Sequence, residues 1–189
     1  SVKGLRLGVS GYYGHSFRNS LMPSYADKYK EVKGAVTIGS FDFEYNAHNW
    51  IARGYFDYGH LSDAKTISIF NRGLANASPS PRTYVASGAL CYGTEAGYDV
   101  FSQFQKFKEK DQKLYLFARY EYYNSMYKAT EGIENQDWCQ RQILTGGINY
   151  FPTDEIVIKA QYSAGMLKSP FEDENSFSLG IAYSGFFTK

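Results

Sequence analysis

The chain has 189 residues and a formal net charge of +1 at pH 7, so we expect one domain and no nucleic-acid partner. It is 43% hydrophobic and 18% aromatic, yet its mean hydropathy is only −0.43. The longest uninterrupted apolar run is Leu114–Ala118, far short of the ~20 residues that a membrane-spanning helix needs. There is no signal peptide and the chain begins at Ser1, so we expect a mature or trimmed product, or a piece of something longer.

Alternating apolar and polar residues predict eight β-strands. In chain order they are Lys3–Gly14, Val36–Ala47, Trp50–Leu61, Tyr84–Phe101, Leu114–Met126, Arg141–Phe151, Ile156–Ser163 and Ser176–Phe187. The second strand has the clearest pattern, because Phe41 and Phe43 fall on one face while Asp42 and Glu44 fall on the other. A one-residue slip would exchange the two faces of a strand, so agreement across eight segments predicts a sheet with one apolar and one polar face.

Full charges on the polar face favour a membrane barrel, because charges are rarely placed on the buried face of a small soluble sheet. In a membrane barrel the polar face lines the inside and the apolar face meets lipid. The candidate lumen-facing residues are Arg6, Asp42, Glu44, Arg53, Asp57, Glu95, Asp99, Arg119, Glu121 and Lys159. The candidate lipid-facing residues are Phe41, Phe43, Tyr45, Phe56, Tyr58, Tyr92, Leu116, Tyr120, Ile148, Ile158, Ile181 and Tyr183. Small polar-face residues such as Gly93, Gly147 and Gly180 predict free space inside.

The predicted connections alternate in length. Long connections are Ser16–Gly34, Ser62–Arg82, Tyr127–Gln140 and Ala164–Asn175, and shorter ones are Ala47–Asn49, Gln103–Lys113 and Pro152–Glu155. Outer-membrane barrels have short periplasmic turns and long extracellular loops, so both chain ends are expected in the periplasm. The fold prediction is an all-β, antiparallel, up-and-down transmembrane β-barrel, with eight strands in a single outer-membrane domain over residues 1–189.

Nothing in the sequence predicts catalysis, so we expect no enzyme, no cofactor and no metal site. His15, His48 and His60 lie at strand ends without the spacing of metal ligands, and no nucleophile elbow, P-loop or dinucleotide motif occurs. Cys91 points inward near mid-strand, whereas Cys139 lies in a predicted extracellular loop. A disulfide needs Cα atoms within about 7 Å, so two unpaired thiols are favoured unless that loop folds into the barrel.

Several segments resemble the strands of Gram-negative porins, most of all the phosphate-selective porin O/P group and its relatives in Bacteroidetes. The closing strands are matched by Phe117–Tyr122, Gly146–Pro152, Ile158–Tyr162 and Leu179–Tyr183, and the preceding strand by Gly93–Asp99. The resemblance implies a porin of the bacterial outer membrane, surrounded by lipid and lipopolysaccharide. It also implies a homotrimer of sixteen-stranded barrels, of which this chain is similar to the final half.

Two features depart from that family. Its phosphate binders use lysine-rich inward loops, whereas the Lys-dense segment Lys106–Lys113 is predicted on the periplasmic side, so phosphate selectivity is not carried over. Such barrels usually end on an aromatic residue, but here Phe187 is followed by Thr188 and Lys189, which puts recognition by the assembly machinery in doubt.

Three functions are open at this stage. The first is a porin-like channel for passive diffusion of small hydrophilic solutes or ions, in which the inward charges set solute preference. The second is a self-contained eight-stranded barrel, filled by internal ion pairs, that anchors or makes surface contacts through its long loops. The third is a soluble lipocalin-like ligand carrier, which would turn its apolar face inward.

Overall fold

A computed structural model describes residues 2–19, 21–73, 84–130, 132–133, 136–168 and 170–184. Eight strands form one sheet in which each strand pairs antiparallel with the next strand in sequence. They are β1 (Leu5–Gly14), β2 (Val36–Ala47), β3 (Trp50–Leu61), β4 (Gly88–Asp99), β5 (Lys113–Lys128), β6 (Gln140–Thr153), β7 (Ile156–Leu167) and β8 (Glu174–Tyr183). The predicted all-β, up-and-down order of eight antiparallel strands is therefore confirmed.

Several strand ends differ from the prediction, and at the end of β4 a side chain caps the backbone. β4 ends at Asp99 rather than Phe101, because the Asp99 carboxylate accepts hydrogen bonds from the backbone N–H groups of Phe101 (3.1 Å) and Leu114 (3.0 Å). β7 and β8 extend further toward their shared connection, which shortens it to residues 168–173. The end of the predicted last strand, through Phe187, lies outside the described residues.

Helical segments are short and lie between the strands. They are α1 (Ser16–Asn19), α2 (Ala64–Arg72) and α3 (Gln105–Lys108), with 3₁₀ turns at Pro23–Tyr25, Val100–Gln103 and Asp137–Cys139. In the part of the chain that the structure describes, no helix has the length and apolar character needed to cross a membrane. The connections at one end of the sheet are 15–35, 62–87, 129–139 and 168–173, and those at the other end are 48–49, 100–112 and 154–155.

The tightest connection, between β2 and β3, consists of His48 and Asn49 alone. Both residues adopt left-handed backbone conformations, with φ of 55° and 65°. Two positive φ values in a two-residue loop match the turn type whose twist fits that of the flanking strands. The Tyr45 hydroxyl lies 2.8 Å from His48 Nδ1 and ties the turn to β2. This turn fixes the register in which Ala47 pairs with Trp50.

The two outer strands of the sheet, β1 and β8, do not pair with each other. Each has ten residues, and every residue of β8 is exposed. A closed eight-stranded barrel is therefore absent from the described residues, and two strand edges retain unpaired backbone groups.

The described residues build no hydrophobic core on the sheet itself. Among the described residues the buried hydrophobic side chains are Tyr29, Val32, Ala64, Ile67 and Met126. Only Met126 lies on a strand, and the others lie in connections 15–35 and 62–87. Large apolar side chains of the sheet stay uncovered, with Leu7 64%, Val9 83% and Ile181 75% exposed.

Candidate functional site

Strand register separates the two predicted sets of side chains completely. All candidate lumen-facing residues lie on one side of the sheet, here called the charged face, and all candidate lipid-facing residues lie on the other, the apolar face. For example, Phe41 is opposite Phe56, and Phe56 is opposite Tyr92. That the charged face lines a lumen and the apolar face meets lipid stays a prediction.

A row of alternating charges crosses the charged face from β1 to β5. Directly opposed positions hold Arg6, Glu44, Arg53, Glu95 and Arg119, in that order. Opposite charges on facing positions of neighbouring strands stabilise the pairing. The N–O distances are 3.6 Å for Arg6 and Glu44, 3.1 Å for Arg53 and Glu95, and 3.6 Å for Arg119 and Glu95.

Glu95 is the central carboxylate of this row. Its side chain is 18% exposed, against 66% for Arg53 and 32% for Arg119, its two partners. Arg119 also approaches Glu121, with Nε 3.0 Å from the carboxylate, but Nε makes no aligned hydrogen bond there. The Tyr55 hydroxyl donates a hydrogen bond to Glu121 at 3.3 Å. Removing the Glu95 charge would leave two neighbouring guanidinium groups without the anion between them.

The row continues as hydroxyl groups on the remaining strands. Thr145 faces Arg119, Ser163 faces Thr145, and Ser176 faces Ser163. Thr145 Oγ1 and Ser163 Oγ are 2.8 Å apart and form a hydrogen bond. The row is therefore ionic from β1 to β5, and neutral and polar from β6 to β8.

A cavity of about 570 Å³ lies against the charged face. It is lined by the row residues on β2–β5 and by Asn149, Lys159 and Gln161 on β6 and β7. Lys159 lines the cavity and makes no ion pair with the residues that the structure describes. The candidate lumen-facing set has four basic and six acidic members, a small excess of negative charge. Such a surface suits polar and charged solutes without strong discrimination by sign.

Sequence reasoning missed three members of this face. Arg141 Nη1 lies 2.7 Å from a Glu174 carboxylate oxygen, and both residues have charged-face positions. Glu174 was missed because the last strand was predicted to begin at Ser176. Tyr55 was missed because an aromatic residue at a polar-face position was not assigned to the polar face.

The charged face has less free space than its glycine positions predicted. A Cβ atom at Gly93 would lie 2.7 Å from the Tyr55 ring, and one at Gly147 would lie 2.8 Å from the Phe117 ring. Aromatic rings therefore cover these two positions, and the expectation of free space there is wrong. At Gly180 a Cβ would meet nothing within 4 Å, so that position is open.

The two thiols are unpaired, as predicted. Cys91 lies on the charged face and its Sγ is 3.5 Å from the Asp57 carboxylate. Within the described ranges, no three His, Cys, Asp or Glu side chains are grouped so that they could hold a metal ion.

Comparisons with protein families, with characterised proteins and with solved structures find no match to this chain. The similarity to Gram-negative porins therefore stays a prediction that rests on the sequence segments quoted above.

Proposed function

We propose that this chain forms part of the wall of a porin-like β-barrel in the bacterial outer membrane, through which small hydrophilic solutes or ions diffuse passively. One observation carries the proposal: the sheet exposes apolar side chains on one face and an ion-paired row on the other, with no core on either. Soluble monomers rarely expose contiguous apolar patches above a few hundred Å². A barrel with lipid outside and water inside would suit both faces, because the apolar face would meet lipid and the charged face would meet water.

The free edges of the sheet favour a channel over a filled barrel. An eight-stranded barrel has an interior just wide enough for its own side chains, whereas barrels with about twice as many strands leave an aqueous channel. Because β1 and β8 each have one free edge, further strands can bridge them, from the same polypeptide or from another copy. We propose that the complete wall has more than eight strands, in line with the resemblance to porins.

The other two functions have less support. A self-contained anchoring barrel needs β1 to pair with β8, and these strands do not pair here. A lipocalin-like carrier needs an apolar interior. The cavity of about 570 Å³ is instead lined mostly by charged-face residues, while Leu179 and Ile181 on the apolar face are 73% and 75% exposed.

Planar bilayer recordings with the purified protein test the proposal. We expect stable conductance steps with a weak preference for cations, because acidic side chains are in slight excess on the charged face. Glu95→Gln should shift the reversal potential toward anion preference, since it removes the anion between Arg53 and Arg119. Glu155→Gln is the matched control, because it makes the same change in the two-residue turn 154–155.

Each alternative function has a distinct outcome in these experiments. No conductance from a folded, heat-modifiable protein would contradict the channel and favour the anchoring barrel. A monodisperse protein in buffer without detergent would contradict membrane insertion and favour the soluble carrier. Equal selectivity of the Glu95→Gln and Glu155→Gln variants would exclude the charge row from the conducting path.

A further inference from the structure

A second cavity, of about 310 Å³, lies on the charged face near the long-connection ends of β2, β3 and β4. Six of the residues that line it have charged-face positions, and they are Ile38, Asp57, Gly59, Ala89, Cys91 and Tyr123. Among the described residues that line it, only Asp57 carries a formal charge. This space, here called the Asp57 cavity, shares no lining residue with the cavity along the ion-paired row.

The lining of the Asp57 cavity has a charged level and an apolar level. Asp57 is directly opposite Cys91 on β4, and these two residues form the charged level. Two residues further toward the long connections, Ile38, Gly59 and Ala89 occupy directly opposed positions and form the apolar level. Strands rise about 3.3 Å per residue, so the two levels lie about 7 Å apart. A ligand that spans the cavity therefore meets a carboxylate at one end and apolar residues at the other.

A β-bulge shapes the cavity on the side of β5. Between Gly88 and Leu90, three residues of β5, 125–127, stand against one residue of β4. Bulges bend a strand and interrupt its ladder of hydrogen bonds. Here the side chain of Asn124, which also lines the cavity, accepts a hydrogen bond from the Met126 N–H at 2.9 Å. The interruption of the ladder is therefore stabilised by a side chain, and it leaves a recess in the sheet at this point.

Asp57 has no cationic partner among the residues that the structure describes. Its carboxylate contacts the Cys91 thiol at 3.5 Å and makes no ion pair with those residues. Two cations at other charged-face positions, Arg53 and Arg141, are already paired with carboxylates at 3.1 and 2.7 Å. A carboxylate beside an apolar recess attracts a cation more strongly than one in open water, because the local dielectric constant is lower. The Asp57 cavity therefore favours a positively charged ligand.

We propose that the Asp57 cavity binds organic cations, namely ammonium ions that carry an apolar group. The ammonium group pairs with the Asp57 carboxylate, and the apolar group covers Ile38 and Ala89 in the apolar level. Tyr123, which is 37% exposed, adds an aromatic surface for either part of the ligand. The volume lies at the lower end of the about 300–1,000 Å³ that ligand pockets enclose, so it suits a small amine such as benzylammonium.

The inference rests on the proposed function, because it assigns one class of solute to the charged face of the proposed channel. It goes beyond a preference for cations, since a carboxylate alone would hold any small cation equally well. Binding and conduction are measured separately below, so the failure of one is distinguishable from the failure of the other.

Protection of Cys91 from a thiol reagent tests the site, because Cys91 lines the cavity. The Cys139→Ala protein is placed in lipid vesicles, and methyl methanethiosulfonate modifies Cys91 in the presence of graded concentrations of benzylammonium. Methylammonium supplies the charge without the apolar group, and benzyl alcohol supplies the apolar group without the charge. We expect half-maximal protection at a concentration at least about tenfold lower for benzylammonium than for either comparison compound, because it alone engages both levels.

Two pairs of variants separate the charged level from the apolar level. Asp57→Asn should raise the half-protecting concentration of benzylammonium at least about tenfold, whereas Asp154→Asn in the turn at the other end of the sheet should not change it. A Cβ at Gly59 would meet only Ile38 at 4.0 Å, so Gly59→Val fills part of the cavity and should raise that concentration at least about threefold. Gly39→Val is the matched control, because a Cβ at Gly39 would meet nothing within 4 Å and Gly39 lies on the apolar face.

Folding of each variant is checked by the heat-modifiable band, and conductance is recorded with the same samples. Equal protection by all three compounds, or equal values for Asp57→Asn and Asp154→Asn, would overturn the site. A Cys91 thiol that does not react even without amine would also overturn it, because the cavity would then be closed to small molecules. Conductance without selective protection would leave the channel intact and remove the site. Selective protection without conductance would overturn the channel and retain the site.

Discussion

Two adjacent glycines on β6 have opposite surroundings and give a sharp test of side-chain packing. A Cβ at Gly147 would lie 2.5 Å from the Ala160 carbonyl oxygen and 2.8 Å from the Phe117 ring, whereas one at Gly146 would meet nothing within 4 Å. We expect Gly147→Ala to lower the free energy of unfolding by about 1–3 kcal/mol, because backbone must move to relieve the overlap. Urea unfolding should detect this loss, while equal stability of Gly147→Ala and Gly146→Ala would contradict the described packing.

Ser40 and Phe41 are neighbours at the middle of β2 with opposite predicted environments. Phe41 lies on the apolar face and is 42% exposed, while Ser40 lies on the charged face opposite Asp57. Phe41→Arg should destabilise the protein in lipid vesicles by about 2–4 kcal/mol, the cost of arginine at the bilayer midplane. The Ser40→Arg variant should unfold at the same urea concentration as the parent protein, since the new guanidinium group can pair with Asp57. Equal tolerance of both substitutions would mean that lipid does not cover the apolar face.

At the scale of elements, the buried hydroxyl of Ser68 fastens α2 to the segment that leads into β4. Ser68→Val removes the acceptor of the Val85 N–H and leaves that part-buried group without a partner. The free energy of local opening at Val85 should fall by about 1–3 kcal/mol, measured by amide hydrogen exchange. Ser178→Val on exposed β8 should leave exchange at Val85 unchanged. Unaltered protection at Val85 in both variants would show that the hydroxyl does not hold α2.

Elements that follow a strict period of two could be predicted from the sequence. The bounds of β2 and β3 are those predicted, because apolar and polar residues alternate up to the tight turn at residues 48–49. The end of β4 could not be predicted, since Asp99 stops it through a contact with Leu114 on the next strand. The nine-residue helix α2 is too short for a clear helical period, and its buried side depends on residues of another connection.

The members of the site, like the strands, could be predicted only where the alternation of residues decides them. Which charges share a face follows from alternation alone, so Glu44, Arg53 and Glu95 could be assigned together. Which charges pair depends on the register between strands, which the sequence leaves open. The packing of Tyr29 against Phe70 could not be predicted, because it joins residues that no local sequence pattern connects.

At the scale of the whole molecule, the two free strand edges allow a test of the proposed larger wall. Paired cysteines can be placed on the two edges in a Cys91→Ala, Cys139→Ala background and treated with a short bis-maleimide. Useful positions are Leu5, Leu7 and Val9 on β1 and Phe177, Leu179 and Ile181 on β8. We expect no cross-link within one chain between these edges, because β1 and β8 do not pair.

A positive control for the cross-linking lies within the sheet. Leu7 and Phe43 are directly opposed on β1 and β2, so cysteines at these positions should cross-link within one chain. Efficient linkage between β1 and β8 of the same chain would contradict the larger wall and establish an eight-stranded closure. Linkage between two chains would identify a second copy as the source of the further strands.

Strictly sequential strand order has a consequence for how such a wall assembles and evolves. Since none of the eight described strands pairs with one distant in the chain, each hairpin can add to the growing sheet without waiting for a remote segment. This order keeps the entropic cost of loop closure low. Gain or loss of one hairpin would alter the circumference by two strands and leave every remaining pair in place. In the proposed channel, pore width can therefore change by duplication of a short stretch of chain.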